Sequence, residues 1–402
     1  MSVYKSILPV ILLVGLSFYG FFSFYQVPDP ILAGTAFLPP FLALISLVLA
    51  WHFNRSQLFF YTLIIIIVNL FSGMGWLSSP LHYSALSVLT SLLMLVYTLI
   101  PDRGIFSVRA IPAYLILSVA VVLLLLITMG KAPVAAEYLL ADWLPARYFD
   151  WTELSQSSIY ISSLVIICLL VLYFVRLSSY ISAALGVTIM LVAQLHFGRD
   201  AASLNVFSSL SLTLCLLVVI QESWRMAYLD ELTDLPGRRA LREKFQKLSG
   251  SYTVAMLDVD HFKKFNDTYG HDTGDAVLRM IAARLSKVSG GGTAYRYGGE
   301  EFSVVFTGKS AEQSISHLEA LREKIATTPF VVNRASRRRQ EAKKNNRHKS
   351  VTITVSIGVA DSAAMLSSSK MRSANFTPWD ILKKADKALY RAKSKGRNCV
   401  VS

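Results

Sequence analysis

Two adjacent carboxylates, Glu300 and Glu301, follow the pair Gly298-Gly299 in the stretch 294–306. β-branched and aromatic residues flank the glycines. This pattern predicts a tight β-hairpin with the glycine pair as its loop, because glycine adopts a positive φ at little cost. Adjacent strand residues point to opposite faces, so the two acids are expected to have different roles. The bare glycine backbone would let a bulky ligand approach. The alternative is an ordinary hairpin with surface acids.

A second acidic motif lies upstream of the hairpin. The apolar run 252–257 predicts a buried strand that delivers Asp258 at its end, and Asp260 follows two residues later. In α/β sheets, ligands collect at the loops beyond strand ends. The sequence therefore places Asp258 where a ligand is expected.

Three motifs together carry a family resemblance. They are Asp-Glu-Leu-Thr-Asp-Leu-Pro-Gly-Arg-Arg at 230–239, the segment 252–275 and Gly-Gly-Glu-Glu-Phe at 298–302. In this order and spacing they resemble the GGDEF domain of diguanylate cyclases, in its GGEEF spelling. Gly237 stands where the family often has Asn. The resemblance covers residues 228–402 and implies an α/β domain with a palm-like, nucleotide-cyclase-related sheet.

The resemblance implies a nucleotidyltransferase that condenses two GTP molecules into cyclic di-GMP and releases pyrophosphate. Such chemistry needs charge neutralisation and in-line positioning, and Mg²⁺ prefers carboxylate and phosphate oxygens. The metal ligands implied are Asp258, Glu300 and the backbone carbonyl of Val259, with Glu301 for a second ion; Mn²⁺ is an alternative metal. Glu300 is also the implied catalytic base for the 3′-hydroxyl, and Asp260 is expected to have only a supporting role.

The resemblance also assigns substrate contacts. An Asp carboxylate accepts hydrogen bonds from guanine in a pattern that adenine does not offer, which discriminates strongly between the bases. The residues implied to bind GTP are Asn266, Asp275 and nearby His271 at the base, Lys263, Lys393 and Arg397 at the phosphates, and Gly298 and Gly299 at the hairpin. The alternative for Lys393 and Arg397 is a pair of basic residues at the end of a surface helix.

Many cyclases of this family carry an inhibitory Arg-x-x-Asp motif five residues before the glycine pair. In this chain those two positions are Ser289 and Gly292. Neither side chain supplies the charge-assisted hydrogen bonds that product binding would require. The sequence therefore predicts that there is no inhibitory product site.

Composition separates the chain into two parts. It has 402 residues, a formal net charge of +14 and 53% hydrophobic residues, which concentrate before residue 223. This is too apolar for an average soluble chain, and two domains are expected. The cysteines Cys168, Cys215 and Cys399 form neither a disulfide framework nor a metal-ligand spacing. No base-stacking or groove-reading motif accompanies the positive charge, so nucleic-acid binding is not expected.

The first half is predicted to be a polytopic α-helical membrane domain, residues 1–223, with about eight transmembrane helices. Each candidate is close to the length needed to cross a bilayer; they are 6–25, 31–53, 58–77, 81–100, 108–129, 157–176, 180–198 and 202–222. Pro39-Pro40 either kinks the second span or marks its true start. Counts of seven or six spans are the alternatives.

Basic residues at the predicted span ends indicate the orientation. Those on one side are Lys5, His52, Arg55, Arg103, Arg109, Arg176 and Arg225. The opposite side contains the loop 130–156, which has more acids than bases, and Arg199 with Asp200, which cancel. The positive-inside rule then places both termini in the cytoplasm of a bacterial inner-membrane protein. Residues 136–148 of the outer loop form either an amphipathic helix or an ordinary interfacial loop.

A helical linker, residues 224–230, is predicted to join the membrane domain to the GGDEF domain, residues 231–402. The linker contains neither Gly nor Pro. The predicted elements after it are a helix through Lys247, a strand 252–258, a helix 272–288, the hairpin 293–307, a helix 311–327, a strand 351–360 and a helix 378–394. The helix 378–394 should begin with a Thr377 cap, Pro378 and the early acid Asp380. A homodimer is expected, because each half-site would hold one GTP.

A basic insertion, residues 333–349, precedes the last predicted strand and carries eight Lys or Arg residues. A solvated, disordered loop is one reading, and contact with anionic membrane lipid is the other. Two functions compete with the cyclase: a catalytically inactive GGDEF receptor for GTP or cyclic di-GMP, and a transporter with a regulatory tail. The intact metal and guanine positions argue against the first, and the scarcity of charges deep in the spans argues against the second.

Overall fold

The computed structural model of the chain describes residues 3–23, 34–73, 79–197, 201–332, 349–362 and 377–402. The chain divides into two compact units, Met1–Ser223 and Trp224–Ser402. Residues 333–348 of the basic insertion lie outside the described residues, and so do Arg199 and Asp200.

The first unit is helical. Its α-helices are α1 Val3–Ser23, α2 Leu38–His52, α3 Ser56–Gly73, α4 Pro80–Leu99, α5 Ile111–Thr128, α6 Pro133–Leu139, α7 Gln156–Arg176, α8 Ser179–Phe197 and α9 Ala201–Tyr228, the last of which continues into the second unit. Within the described residues, seven helical segments are long and apolar enough to cross a membrane, and Ile7–Tyr19 of α1 is a shorter apolar helix. The count of eight spans stays a prediction.

Prolines set where several of these helices begin. The helix α2 begins at Leu38 and has Pro39-Pro40 in its first turn, so the proline pair marks the start of the helix and does not kink it. Proline suits this position because its missing N–H would have no partner there. The helices α4 and α5 also begin with a proline in the first turn.

The helix α8 is the most deeply packed of the first unit, with buried residues along its whole length. A Cβ atom at Gly186 would lie 2.6 Å from Leu214 Cδ2 of α9 and 2.7 Å from Val10 Cγ1 of α1. The glycine therefore lets three helices approach one another closely, as small residues do in membrane bundles.

The connection 130–156 does not form one amphipathic helix. It contains α6, which ends at Leu139, and a separate 3-10 turn at Ala146–Tyr148. Between them the chain is held by Gln156, whose Oε1 accepts hydrogen bonds from Trp143 N at 3.0 Å and Leu144 N at 2.8 Å. These bonds satisfy backbone groups that a continuous helix would have paired internally.

The second unit is an α/β sandwich. Its helices are α10 Arg238–Gln246, α11 Phe262–Tyr269, α12 His271–Leu285, α13 Ala311–Ala326 and α14 Pro378–Ser394, and its strands are β1 Tyr252–Val259, β2 Thr293–Gly298, β3 Glu301–Thr307, β4 Phe330–Val332, β5 Lys349–Val351, β6 Val355–Asp361 and β7 Val400–Val401. The main sheet has the order β2-β3-β1-β6-β7, and β4 and β5 form a separate pair.

The central strand β1 is buried at every residue. Its side chains alternate between two apolar clusters, as the period of a strand requires. Ala255 and Leu257 pack in the cluster that includes Val277 of α12. Val254 and Met256 pack in the cluster that includes Ile381 of α14. Helices therefore cover both faces of the sheet, and the predicted α/β fold class is confirmed.

The helix α14 begins as the sequence predicts. Pro378 is in its first turn, and Asp380 Oδ2 accepts hydrogen bonds from Thr377 N at 2.9 Å and Thr377 Oγ1 at 2.8 Å. These two hydrogen bonds, the backbone one first and the hydroxyl one second, hold the pKa of Asp380 below its ordinary value. Ionised acids at this position stabilise a helix start.

The predicted strand 351–360 is wrong as a single element. Its first part belongs to β5, where Val351 pairs with Phe330 of β4. Its second part is β6, which pairs with β1 from Val355 to Asp361. The apolar run is continuous in sequence, but its two parts join different sheets. The predicted elements also omitted α11, β4 and β7, all of which are short.

Candidate active site

The two acidic motifs meet where β1 and β3 run side by side. In the antiparallel register, Asp258 is opposite Glu301 and Leu257 is opposite Phe302. The backbone N–H of Val259 donates to the carbonyl oxygen of Glu300 at 3.4 Å. The ladder therefore brings all four predicted metal-site residues to one edge of the sheet, although they are separated in sequence by the helices α11 and α12.

The hairpin turn differs from the prediction by one residue. Gly298 is still paired, with Glu301, and the register shifts between Arg296 and Gly298. The turn therefore consists of Gly299 and Glu300, and only Gly299 of the two glycines has a positive φ, at +51°. A bulge at Tyr297 accounts for the shift. Glu300 is a turn residue, so it is not confined to one face of a strand as Glu301 is.

Lys393 lies against the first of these acids. Its Nζ is 2.8 Å from Asp258 Oδ2, and the Asp258 side chain is 8% exposed. Lys393 is in the last turn of α14, which packs closely on the sheet at Gly358. A Cβ atom at Gly358 would lie 2.0 Å from Leu389 N and 2.1 Å from Ala385 O. The absence of a side chain at Gly358 is thus what lets α14 bring Lys393 to Asp258.

The carboxyls of this cluster share an unfavourable electrostatic environment. Burial raises the pKa of Asp258 above its ordinary value, against the opposing effect of the Lys393 ammonium. Burial and the neighbouring charge of Asp258 also raise the pKa values of Glu300 and Glu301. The three acids therefore concentrate more negative charge than Lys393 balances, and an added cation would relieve it.

The donor set suits a hard divalent cation. Carboxylate and carbonyl oxygens are the ligands that Mg²⁺ prefers, and Mg²⁺ is usually held by one or two carboxylates together with substrate phosphates. Within the described residues, no three Asp, Glu, His or Cys side chains form a ready-made metal cage. The residues present therefore fit an ion that is held jointly with a phosphate-bearing ligand.

Asp260 does not join this cluster. Both of its carboxylate oxygens accept hydrogen bonds: Oδ1 from Ser356 Oγ at 2.6 Å, and Oδ2 from Thr354 Oγ1 at 2.7 Å and Asn398 N at 3.1 Å. With these donors in place, Asp260 is a poor candidate for a metal ligand. Its side chain instead joins β6 to the turn after α14.

The predicted guanine residues lie on α11 and α12. Asn266 Oδ1 is buried, and it has no hydrogen-bond partner among the described residues. A Cβ atom at Gly274 would lie 1.9 Å from Asn266 Oδ1, so the amide sits directly against the residue that precedes Asp275. An unpaired buried acceptor is costly unless a ligand supplies a donor.

The remaining predicted substrate residues are more exposed. Lys263 is exposed on α11, and His271 is exposed at the start of α12. Arg397 is exposed in the turn after α14, and its charge lowers the pKa of Asp258 against the raising effect of burial. Arg397 therefore lies within electrostatic reach of the cluster.

Arg296 is a site residue that the motif reasoning did not identify. Its Nη1 is 2.7 Å from Asp230 Oδ1, and Nη2 and Nε donate to the carbonyl oxygen of Gly299 at 2.8 Å and 3.2 Å. Arg296 thus ties the hairpin turn to the motif at 230–239. Burial opposes ionisation of Asp230, but hydrogen bonds from Thr233 and Arg296 outweigh it and lower its pKa. The feature of the sequence that could have indicated this role is a single arginine between aromatic residues in the predicted strand.

The loop at 289–292, which occupies the position of the family's inhibitory motif, is packed against its neighbours. Ser289 Oγ is 2.9 Å from His317 Nδ1. A Cβ atom at Gly290 would lie 2.2 Å from the ring of His317, and one at Gly292 would lie 2.7 Å from the ring of Phe306. The observed packing leaves no room for an aspartate side chain at Gly292.

A comparison with protein families matches residues 227–399 to the GGDEF domain of diguanylate cyclases. Among curated proteins, the chain is 34% identical to the response regulator PleD of Caulobacter vibrioides over 190 residues, which is 45% of this chain and 37% of PleD. It is 33% identical to the diguanylate cyclase DgcP of Pseudomonas aeruginosa over 187 residues, 44% of this chain and 24% of DgcP. The chain thus spans well under half the length of these relatives.

Among solved structures, the chain is similar to the GGDEF domain of DgcB from Caulobacter crescentus, which was crystallised in complex with c-di-GMP. The identity is 31%, the match covers 44% of this chain and 95% of that one, and the TM-score is 0.36. Both kinds of comparison concern the second unit.

Proposed function

We propose, because residues 227–399 belong to the GGDEF domain family, that the protein is a membrane-anchored diguanylate cyclase. It condenses two GTP molecules into cyclic di-GMP and releases two molecules of pyrophosphate. The observation that carries this proposal is the meeting of Asp258, Glu300 and Glu301 beside Lys393 at the edge shared by β1 and β3. Catalytic sites are where like charges and burial are arranged to perturb pKa values.

The carboxylates hold divalent metal in this proposal. Asp258, Glu300 and the Val259 carbonyl are the ligands of one ion, and Glu301 serves a second. When bound, Mg²⁺ or Mn²⁺ supplies charge neutralisation for the triphosphate. Lys393, which neutralises Asp258 in the structure, is close enough to exchange that contact for a phosphate oxygen. The raised pKa values of the acids support this assignment, because burial and the neighbouring carboxylates disfavour the ionised forms and a bound cation would offset this effect.

Glu300 accepts the proton of the attacking 3′-hydroxyl. It lies half-buried in the turn after Gly299. Burial raises its pKa above that of an ordinary glutamate, which makes it a stronger base. A general base works best when its pKa approaches the working pH.

Asn266 and Asp275 read the guanine edge, with His271 beside them. The unpartnered Asn266 Oδ1 supports this role, because guanine offers N–H donors to such an acceptor. Asp275 accepts from the guanine N1 and N2 hydrogens, which adenine lacks in that pattern. A site built on buried polar groups rejects analogues that leave those groups unpaired.

Phosphate recognition uses the basic residues and the hairpin. Lys393 acts as a point charge, while Arg397 can donate to two phosphate oxygens at once. Lys263 contributes from α11, and the backbone at Gly298-Gly299 lets the ligand lie close to the strand. The position of Lys393 and Arg397 on either side of the end of α14 supports a shared target.

The active enzyme is a homodimer, because each site holds one GTP and the reaction joins two. The first unit anchors it in the bacterial inner membrane, with the GGDEF domain in the cytoplasm, where GTP is found. The seven apolar helices and the basic residues at the span ends support this placement. The basic insertion 333–349 contacts anionic lipid, and the membrane domain regulates the cyclase.

Product inhibition through the family's usual motif does not operate. Ser289 and Gly292 cannot supply the charges, and the packing of Phe306 against Gly292 supports this conclusion. Initial rates should therefore stay constant as cyclic di-GMP is added in the low micromolar range. Non-competitive inhibition at such concentrations would contradict the proposal.

The decisive experiment is to incubate the purified full-length protein with GTP and MgCl₂ and to quantify cyclic di-GMP and pyrophosphate. We expect both products in a molar ratio of one to two. Protein that binds GTP, remains dimeric and releases neither product would identify a receptor. Omission of the metal ion, with EDTA present, should stop turnover and is the matched control.

A further inference from the structure

The turn that follows α14 has an unusual backbone. Gly396, Arg397 and Asn398 have φ values of +107°, +67° and +46° in succession. Glycine adopts such values easily, but arginine there is strained, and asparagine is only partly tolerant. Two non-glycine residues in this region persist only when surrounding contacts hold them. The turn therefore depends on whatever binds it.

Two side chains hold this turn from opposite sides. Asp260 Oδ2 accepts a hydrogen bond from Asn398 N at 3.1 Å, and Arg322 Nη1 donates to Asn398 Oδ1 at 2.9 Å. Within the turn, Arg397 N donates to Ala392 O at 3.1 Å. The contact with Asp260 joins the strained backbone to the residue that follows β1, the strand that carries Asp258.

Asp260 is itself rigidly placed. Asp260 is 8% exposed. The Thr354 hydroxyl donates to its Oδ2 at 2.7 Å, and the Ser356 hydroxyl donates to its Oδ1 at 2.6 Å. Its own N–H donates to Thr354 O at 3.0 Å. A buried carboxylate that accepts several hydrogen bonds is a fixed anchor, because each lost bond would leave a charge unpaired.

We propose that Asp260 is a positioning residue: through Asn398 N–H it holds the strained turn that presents Arg397 to the phosphates of the nucleotide. This inference rests on the proposed function, since it assumes that the site binds a guanosine triphosphate. It assigns to Asp260 a role distinct from that of Asp258, two residues away. Removal of the Asp260 carboxylate should therefore reduce the contribution of the phosphates to nucleotide affinity. It should leave the contribution of the guanine base unchanged.

The test uses Asp260→Asn in the full-length protein, because it keeps the side-chain shape and removes the charge. Binding of α,β-methylene-GTP, GMP and guanosine is measured with Mg²⁺ present. The variant should bind the triphosphate analogue about tenfold more weakly, the scale of one lost charge-assisted bond. Its affinity for guanosine, which has no phosphate, should stay within about twofold of wild type, and the loss for GMP should be smaller than the loss for the triphosphate analogue. The preference for the triphosphate therefore shrinks.

Asp361→Asn is the matched control. Asp361, at the end of β6, is also buried and is 9% exposed. Its Oδ2 accepts a hydrogen bond from Ala311 N, at the start of α13, at 2.8 Å. Loss of that carboxylate should lower the melting temperature and leave the preference for the triphosphate unchanged. The control therefore separates general destabilisation from loss of the phosphate contact.

Thr354→Val provides a second variant in case Asp260→Asn does not fold. It removes one donor to Asp260 and leaves the bond to Asn398 N in place, so a smaller loss of triphosphate preference is expected. Unchanged triphosphate preference in both variants would overturn the inference, and so would an equal loss for all three ligands. A wild-type protein that binds no triphosphate analogue would overturn the proposed function together with this inference.

Discussion

The buried polar groups of the two units differ in charge. Among the described residues, the buried polar side chains of the first unit are neutral, whereas the second unit buries Asp258, Asp260 and Asp361. In the first unit, Ser46 Oγ lies 2.7 Å from Thr62 Oγ1, a contact that joins α2 to α3. In the second unit, Asp258 is 2.8 Å from Lys393.

This difference separates two uses of polarity. Hydroxyl pairs cost little to bury and fix how helices meet in a membrane. Buried charges cost much more, and they raise the pKa values of their neighbours. In the second unit, this desolvation free energy falls on the carboxylates at the edge where β1 and β3 pair. Substitutions at the charged edge should therefore change chemistry, and substitutions at the hydroxyl pairs should change only stability.

The largest effect is expected at Glu300. Glu300→Gln keeps the shape but removes the proposed base and a proposed metal ligand, so turnover should fall by about 100-fold or more. Cyclic di-GMP formation is the measurement, with circular dichroism to confirm the fold. Glu323→Gln, an exposed acid on α13, should behave as wild type. Activity above about a tenth of wild type in Glu300→Gln would contradict the assignment, since a general base contributes about 100-fold or more.

Asp275, on α12, tests the proposed recognition of the guanine base. Asp275→Ala should weaken GTP binding by about tenfold or more, because the proposed hydrogen-bond acceptor for guanine is lost. It should leave Mg²⁺ binding nearly unchanged. Calorimetric titration of each ligand checks this. Asp272→Ala, an exposed acid in the first turn of the same helix, is the control. Equal GTP affinity in wild type and Asp275→Ala would show that another group reads the base.

Arg296 is a charged residue of the second unit whose expected role is to hold the hairpin turn in place. It therefore tests whether a charge near the acids can act through position alone. Arg296→Lys keeps an ion pair with Asp230 but cannot donate twice to the Gly299 carbonyl. The turn that carries Glu300 should then be less well placed, so kcat should fall about tenfold, as when one such hydrogen bond is lost. KM for GTP should change little.

Arg284→Lys is the matched control for Arg296. Arg284 lies on α12, where it donates to Thr328 Oγ1 and Met280 O. A rise in KM with unchanged kcat in Arg296→Lys would place Arg296 in substrate binding and contradict the positioning role.

A smaller effect is expected at the hydroxyls of the first unit. Ser162 Oγ lies 3.1 Å from Ser87 Oγ and 3.0 Å from Ser91 Oγ, which joins α7 to α4. Ser162→Ala should lower the free energy of unfolding by about 0.6 kcal/mol without changing the cyclase rate. Ser163→Ala, at the neighbouring exposed residue, should do neither. A large loss of rate in Ser162→Ala would mean that the hydroxyl cluster takes part in regulation.

The smallest effect on catalysis is expected at the basic insertion. Replacing Arg337, Arg338, Arg339, Lys343 and Lys344 with serine should leave the rate of the fragment 224–402 nearly unchanged. Its binding to anionic vesicles should weaken, because each basic residue near such a surface contributes about 1 kcal/mol. Co-sedimentation measures this, with neutral vesicles as control. Equal sedimentation of both fragments would exclude a lipid contact.

The parts of the fold that the sequence predicts best are those with local causes. The start of α14 follows from Thr377, Pro378 and Asp380, which lie within four residues of one another. The buried strand β1 and the acid at its end follow from one apolar run. Elements of this kind need no information from distant parts of the chain.

The parts that were missed depend on distant partners. The bulge at Tyr297, which moves the turn onto Glu300, arises from the pairing of β2 with β3 and is invisible in the Gly-Gly motif. Asp260 appeared to be a minor acid because its donors, Thr354 and Ser356, lie far away in sequence. Arg296 likewise acquires its role only when folding brings Asp230 beside it.

Gly358 has a consequence for random mutagenesis. Every replacement there adds an atom about 2 Å from the backbone of α14, closer than any real contact between carbon and nitrogen or oxygen. The helix must then retreat and take Lys393 with it. A screen for inactive clones would recover substitutions at a residue that touches no substrate. The atoms that would clash belong to the backbone of α14 at Ala385 and Leu389, so no side-chain change at those two residues would relieve the clash. Selection for restored activity should therefore recover reversion to glycine at Gly358.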